Sequence, residues 1–239
     1  MYQAVSLSGG KDSTVVAALA ARIFGKENVI GVMMPNGTQA DIADSEEVCK
    51  FLGIGAVTVN IGSAYEELLG EVVFGALKPL GVESASYDTE TNLPARLRMS
   101  ALYAVAQSVG GAVLNTCNLS EDTVGYATLY GDNAGSYAPL QGLAVTEVKA
   151  LGDWLGLPHR LVHKVPVDGL QPKTDEEKLG FTYDALDRFI RKGEGADSFK
   201  DLIRALYRKN RFKTDMVRLP GPKFEFLPNF AARPLENAI

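Results

Sequence analysis

Over its first 115 residues the chain alternates between two hydrophobic rhythms. Short apolar runs fall at Tyr2–Leu7, Val29–Met34, Ala56–Ile61 and Gly111–Asn115. Their length and β-branched content predict strands. Between them, apolar residues recur at helical spacing over Asp12–Phe24, Asp41–Leu52, Ser63–Leu77 and Leu93–Val109. Gly25 reads as the C-cap of the first helix and Ser63 as the N-cap of the third. Ile42, Val48, Phe51 and Leu52 are the expected apolar contacts of the second. Pro35-Asn36-Gly37 marks a turn. Strand–helix alternation predicts an α/β fold, a doubly wound, mostly parallel sheet with helices on both faces. Ligands of such sheets bind beyond the carboxyl ends of the strands. The turn after the first strand, Met33-Met34 and Asn115-Thr116 all fall there.

From Cys117 to Pro139 the rhythm is lost, in a stretch rich in Gly, Asn, Asp and Tyr. A long irregular segment in a compact domain is often functional. Helical spacing returns at Thr146–Leu155, Thr182–Arg191 and Ser198–Lys209. Gly169–Gly180 reads as a second, acidic loop, and the Pro-containing tail after Arg211 as irregular. Without a linker or repeat, residues 1–239 read as one domain, with a core over about 1–165 and a loop with C-terminal helices over about 166–239. An apolar content of 46% permits a full core, and a net charge of −5 argues against a nucleic-acid surface. The two cysteines, Cys49 and Cys117, lie far apart, which excludes a disulfide framework and a Cys-x-x-Cys site and fits a reducing cytoplasm. No signal peptide is evident, and no uncharged apolar stretch approaches about 18 residues, so no membrane span is expected.

The chemistry is concentrated in Ser8-Gly9-Gly10-Lys11-Asp12-Ser13, between the first strand and the first helix. Backbone N–H groups at a helix start, together with the helix dipole, favour an anion. Two glycines let the backbone approach phosphate oxygens, and two serines add donors. An aspartate inside a phosphate cradle suggests an intervening Mg²⁺. The motif lacks the spacing of G-x-x-x-x-G-K-[ST] and of G-x-G-x-x-G. It resembles the S-G-G-x-D-S loop of the ATP pyrophosphatases, the PP-loop family with an adenine nucleotide α-hydrolase-like fold. That resemblance implies ATP cleaved between its α- and β-phosphates, with AMP passed to an acceptor oxygen.

Further motifs narrow the acceptor. Asn92-Leu93-Pro94-Ala95-Arg96-Leu97-Arg98-Met99 is followed in order by Asn115-Thr116, Ser120-Glu121-Asp122-Thr123-Val124-Gly125-Tyr126, Tyr130-Gly131-Asp132, Pro139-Leu140 and Thr174-Asp175-Glu176 with Leu179-Gly180 and Tyr183. The series resembles the synthetase domain of NAD synthetases, in the short ammonia-dependent form, over nearly the whole chain. The resemblance implies adenylylation of the nicotinate carboxylate of deamido-NAD, followed by attack of ammonia. It gives Ser8, Gly9, Gly10, Asp12, Ser13, Met33, Met34, Gln39 and Thr116 to ATP. Asn92, Arg96, Glu176 and Lys213 go to deamido-NAD, Asp12 and Glu121 to Mg²⁺, and Asp132, with Asp12, to catalysis. Arg96 and Arg98 point roughly 200° apart on one helix, so one pocket cannot take both, and Arg98 is expected in a structural ion pair. Relatives of this kind form homodimers. Longer ones carry a glutamine-hydrolysing domain for which this chain has no room, so the expected donor is free ammonia or ammonia from a separate protein.

The chain departs from the family pattern at Leu129, Ser136, Val145, Val167 and Phe212. Leu129 and Val145 stand where relatives carry lysines, which leaves Lys11, Lys149 and Lys164 as replacements. Ser136 replaces an aspartate at the dinucleotide ribose. Two other readings stay open: another PP-loop ATP pyrophosphatase, and a nucleotide-binding paralogue of weak activity.

Overall fold

The computed structural model describes residues 1–164 and 174–216. Its sheet has four strands, β1 Gln3–Ser6, β2 Val29–Met33, β3 Gly55–Thr58 and β4 Ala112–Leu114, in the order β3-β2-β1-β4. All three pairings are parallel, with Gln3 opposite Val29 on one side and Ala112 on the other. All four expected strands are present. The third is shorter than expected, yet its pairing continues past Thr58, because the Val59 and Ile61 N–H groups donate to the carbonyls of Met33 and Pro35.

β1 alternates sides as a strand must. Val5 faces a core shared with α1 (Lys11–Phe24), α2 (Ile42–Leu52), α6 (Val145–Trp154) and α7 (His159–Val162). Ala4 faces a second core with Met99, Leu102 and Ala106 of α4 (Tyr87–Ser108). A third apolar cluster lies away from the sheet. It joins α5 (Leu119–Val124), the start of α6, α9 (Tyr183–Lys192) and α10 (Asp197–Met216) through Val124, Val145, Leu186, Ile190 and Ile203. Leu186, Ile190 and Ile203 are fully buried, each contributing about 1.5–3 kcal/mol.

A buried carboxylate ties this lobe together. Asp187 of α9 accepts from the Ser120 hydroxyl and, at 2.8 Å, from the Thr146 N–H. Ser120 Oγ in turn accepts the Val145 N–H at 3.0 Å. The residue before α6 is Ala144, which has no capping side chain. Its free N–H groups are satisfied by residues of other helices instead.

Several boundaries differ from expectation. α4 starts at Tyr87, where Ser86 caps it by accepting the Thr89 N–H at 3.2 Å. The helix is expected from Leu93; Pro94 lies inside it and costs it one backbone bond. The third helix runs as α3 (Gly62–Gly70) and continues in π-helical turns over Glu71–Leu77, with Ile61 rather than Ser63 at its cap position. Phe51 points to solvent rather than into the core. The irregular 117–139 stretch contains α5, and the acidic second loop contains α8 (Asp175–Leu179). α10 extends past Arg211 to Met216. Among the described residues no helix is long and apolar enough to cross a membrane.

Candidate active site

The chain leaves β1 for β2 and β3 on one side, then returns to place β4 on the other. The carboxyl ends of β1 and β4 therefore flank the point where strand order reverses, which is where open α/β sheets bind ligands. The loop after β1 is Ser8–Gly10, and the chain after β4 is Asn115–Asn118.

The first loop is organised by its own residues. Ser13 Oγ lies 3.3 Å from Ser8 Oγ and donates to the Gly10 carbonyl at 3.1 Å. The Gly10 N–H donates to Ser8 Oγ at 3.3 Å, and Thr14 Oγ1 donates to the Gly10 carbonyl at 2.8 Å. Gly9 has φ +73°, and a Cβ there would lie 2.7 Å from Asp44 Cβ. Only glycine meets both demands, so the loop turns tightly against the start of α2.

Asp12 and Glu121 are brought together as expected. Asp12 sits in the first turn of α1 and Glu121 in the first turn of α5. Asn118 bridges them: its Nδ2 donates to Asp12 Oδ1 at 3.0 Å, and its N–H donates to Glu121 Oε2 at 3.3 Å. Glu121 thus closes a capping box on α5 while facing Asp12. Burial, and then the negative charge of Asp12, push the Glu121 carboxyl well above the usual range, against the pull of Lys11. Two carboxylates whose joint charge Lys11 only partly balances suit a divalent cation. Among the described residues no group of three or more His, Cys, Asp or Glu could hold a metal. Magnesium fits such a site, since it takes one or two carboxylates and completes its shell with phosphate oxygens and water.

Asp132 is exposed to solvent. Its carboxylate accepts the Thr128 N–H at 2.7 Å, closing a turn in which Tyr130 has φ +61°. The surrounding protein raises its pKa, while the Thr128 bond and Lys213 work the other way. Lys213 Nζ donates to the carbonyls of Gly125 and Ala127 at 2.8 and 2.9 Å, docking the end of α10 on this loop. Burial lowers the Lys213 pKa, against the attraction of Asp132.

The remaining expected residues are dispersed around this centre. Met33 and Met34 are buried at the end of β2, where their carbonyls accept from the Val59 N–H and from Arg98 Nε. Thr116 is half-buried after β4. Gln39 turns to Asp41, donating to it at 2.9 Å. Asn92 lies inside α4, and its Oδ1 accepts from Thr128 Oγ1 at 2.7 Å. Exposed Arg96 donates to the Leu129 carbonyl at 3.2 Å. Glu176 joins α8 to α9 by accepting the Tyr183 N–H at 2.8 Å.

Arg98 departs from its expected ion pair. It donates to the Met34 carbonyl at 2.9 Å, half-buried and close enough to feel Asp132. Asn118 is a site residue that pattern reading passed over, although Asn118-x-x-Glu121 is a capping-box spacing visible in the sequence. Of the departures, Val145 is buried in the third cluster and Ser136 Oγ accepts the Val113 N–H. Phe212 is exposed, and Val167 lies outside the described residues. Lys164 is engaged by Asp41 and Asp44, at 2.7 Å each, whereas Lys11 lies in the site itself.

An NAD synthase family model matches residues 3–217. The NH(3)-dependent NAD(+) synthetase of Alkaliphilus metalliredigens is 37% identical over 221 residues, covering 91% of this chain and 89% of that protein. The same enzyme of Pyrococcus horikoshii is 38% identical, covering 93% of this chain and 88% of its own length. Among solved structures, an NMN synthetase from Francisella tularensis superposes with a TM-score of 0.79 at 31% identity, over 89% of this chain and 86% of that one. The NH3-dependent NAD synthetase from Campylobacter jejuni gives 0.69 at 27% identity over the same shares. A Gly-Gly anion loop, a carboxylate pair at the reversal of strand order and a match spanning almost every described residue agree: the chain belongs to the NAD synthase family of ligases.

Proposed function

We propose that this chain amidates deamido-NAD to NAD, consuming ATP and ammonia and releasing AMP and pyrophosphate. The observation that carries this is the meeting of Asp12 and Glu121 beside the Ser8–Ser13 loop. Ser8, Gly9, Gly10 and Ser13 cradle the ATP phosphates, with adenine toward Met33, Met34 and Gln39 and with Thr116 on the opposite side. The nicotinate carboxylate attacks the α-phosphate, and pyrophosphate leaves. Ammonia then attacks the acyl carbon of the mixed anhydride, and AMP leaves. A carboxylate is a poor electrophile and AMP a far better leaving group than oxide. Most of the enzyme's work is therefore positioning and charge neutralisation. Asp12 and Glu121 are the side chains that would hold Mg²⁺, which neutralises phosphate oxygens when bound. Asp132, exposed and close to Arg98 and Lys213, holds ammonium and takes the proton lost by the attacking nitrogen. Asn92, Arg96, Glu176 and Lys213 bind or enclose the dinucleotide.

Residues 1–239 act as one catalytic unit in the cytoplasm, and as a homodimer. An apolar surface supports the dimer: Phe74 and Leu80 are 71% and 75% exposed, with Leu68 and Val82 exposed in the same region. Such a patch marks an interaction site more often than free surface. Sedimentation of wild type against Phe74→Glu tests this, and a monomeric wild type overturns it.

The activity is tested by incubating the purified chain with ATP, Mg²⁺, deamido-NAD and ammonium, following NAD and AMP in equal amounts. Tight ATP binding without NAD formation rejects it in favour of the weak paralogue. The superposition on an NMN synthetase supports a second acceptor, nicotinate mononucleotide. Comparing kcat/KM for the two acids decides between them.

A further inference from the structure

Lys11 is the first residue of α1 and is 4% exposed. Lysines are almost never buried so fully without partners. Its ammonium donates to Asp12 Oδ2 at 2.8 Å and lies 5.6 Å from the centre of the Tyr183 ring. Glu121 and Asp175 attract it from α5 and α8. Three carboxylates thus surround one ammonium. Asp12 is held on its other oxygen by Asn118, and Asp175 accepts from the Tyr126 hydroxyl at 3.0 Å.

The Tyr183 hydroxyl, on a residue 3% exposed, has no hydrogen-bond partner among the described residues. It lies within reach of the charges of Glu121, Asp175 and Asp12. Buried hydroxyls are nearly always paired. An unused donor beside a buried cation, next to a phosphate cradle, is a place for an oxyanion.

We propose that Lys11 changes partners: in the free protein its ammonium balances Asp12 and Glu121, and with Mg²⁺ and ATP in place it turns, with the Tyr183 hydroxyl, to the oxygens of the pyrophosphate group. This rests on the ATP reading above. An ammonium and a divalent cation on the same carboxylates repel each other, so Lys11 cannot keep its free-state position beside the metal. Its flexible four-carbon stem lets the charge move while α1 stays fixed. Lys11 remains protonated throughout, and its charge offsets the negative charge that builds on the leaving group.

The full chain tests this with two probes, Mn²⁺ alone, followed by electron paramagnetic resonance, and inorganic pyrophosphate with Mg²⁺, followed by calorimetry. Lys11→Met keeps the bulk and removes the charge. It should bind Mn²⁺ about tenfold more tightly and pyrophosphate about tenfold more weakly. Tyr183→Phe keeps the ring, and should leave Mn²⁺ unchanged while weakening pyrophosphate about threefold. Opposite shifts in Lys11→Met support the exchange. Parallel shifts, or none, overturn it. If Lys11→Met does not fold, an unchanged pyrophosphate affinity in Tyr183→Phe overturns it alone. Wild type that forms no NAD while the variants shift as expected rejects the acceptor and keeps the subsite. Wild type that forms NAD without these shifts does the reverse.

Discussion

The two halves of the site are built in different ways. On the ATP side, Ser8, Gly10, Ser13 and Thr14 bond to one another across no more than five positions in sequence. On the acceptor side the bonds that join one element to another are long-range. Asn92 receives Thr128, Asn133 donates to the Lys213 carbonyl, and Lys213 reaches back to Gly125 and Ala127. A loop that organises itself needs only a strand before it and a helix after it. A surface assembled from α4, the 125–133 turns and α10 exists only once the whole chain has folded. The two halves should therefore fail differently under mutation.

The largest effect is expected where the halves meet. Asp12→Ala and Glu121→Ala should each reduce pyrophosphate release by about 10³-fold or more, because both remove charge from the metal position. Glu121→Gln separates two roles. It can still accept the Asn118 N–H, so α5 should keep its cap and the protein its melting temperature, while turnover falls as far as in the alanine variant. Normal turnover in Glu121→Gln would reduce Glu121 to a capping residue.

Two glycines test the independence of the halves. Gly9 and Gly125 have φ +73° and +69°, and a Cβ would lie 2.7 Å from Asp44 Cβ in one and 2.1 Å from Asn210 Cβ in the other. Each alanine variant should lose about 2 kcal/mol of stability in chemical denaturation. Gly9→Ala should weaken ATP binding about tenfold and spare the dinucleotide, with Gly125→Ala doing the opposite. If both variants weaken both ligands equally, the halves are one cooperative unit.

The same contrast explains what was legible in the sequence. Strand, loop and helix at Gln3–Phe24 were readable because cap, glycines and hydroxyls are neighbours. The sequence places the start of α4 at Leu93, where Pro94 imitates a helix start, while the true cap, Ser86, stands seven residues earlier. Arg98 was assigned to an ion pair because periodicity gives its direction along α4 but not what waits there, which is the Met34 carbonyl. Asp187 carried no signal at all, since its partners Ser120 and Thr146 belong to other helices. Family resemblance pointed to Lys213, whose bonds to Gly125 and Ala127 no local pattern encodes.

A smaller effect is expected at the outer edge of the acceptor side. Lys213→Met removes two bonds to backbone carbonyls and frees the end of α10. The Kd for deamido-NAD should rise about tenfold, with ATP affinity unchanged. An equal loss for ATP would show that α10 supports the whole site.

The smallest effect concerns a clasp outside both halves, and its pH dependence has a defined sign. Asp44, packed on Gly9, accepts from Lys164 and Arg160, both at 2.7 Å. Those bonds hold its carboxyl below the usual 3.8. A depressed carboxylate stabilises the fold fully above its unfolded pKa and ceases to as the pH falls through the folded value. Lys164 is shifted upward: burial opposes this, but its bonds to Asp41 and Asp44 outweigh the penalty. Its contribution is therefore lost only as the pH rises above about 10.5. Between those limits the clasp is indifferent to pH. Asp44→Asn should cost about 1 kcal/mol at pH 7, a modest value because Arg160 is largely exposed. The difference from wild type should shrink toward zero as denaturation is repeated from about pH 4 downward. A difference that persisted there would mean that Asp44 acts by packing against Gly9, which would draw this clasp into the ATP half.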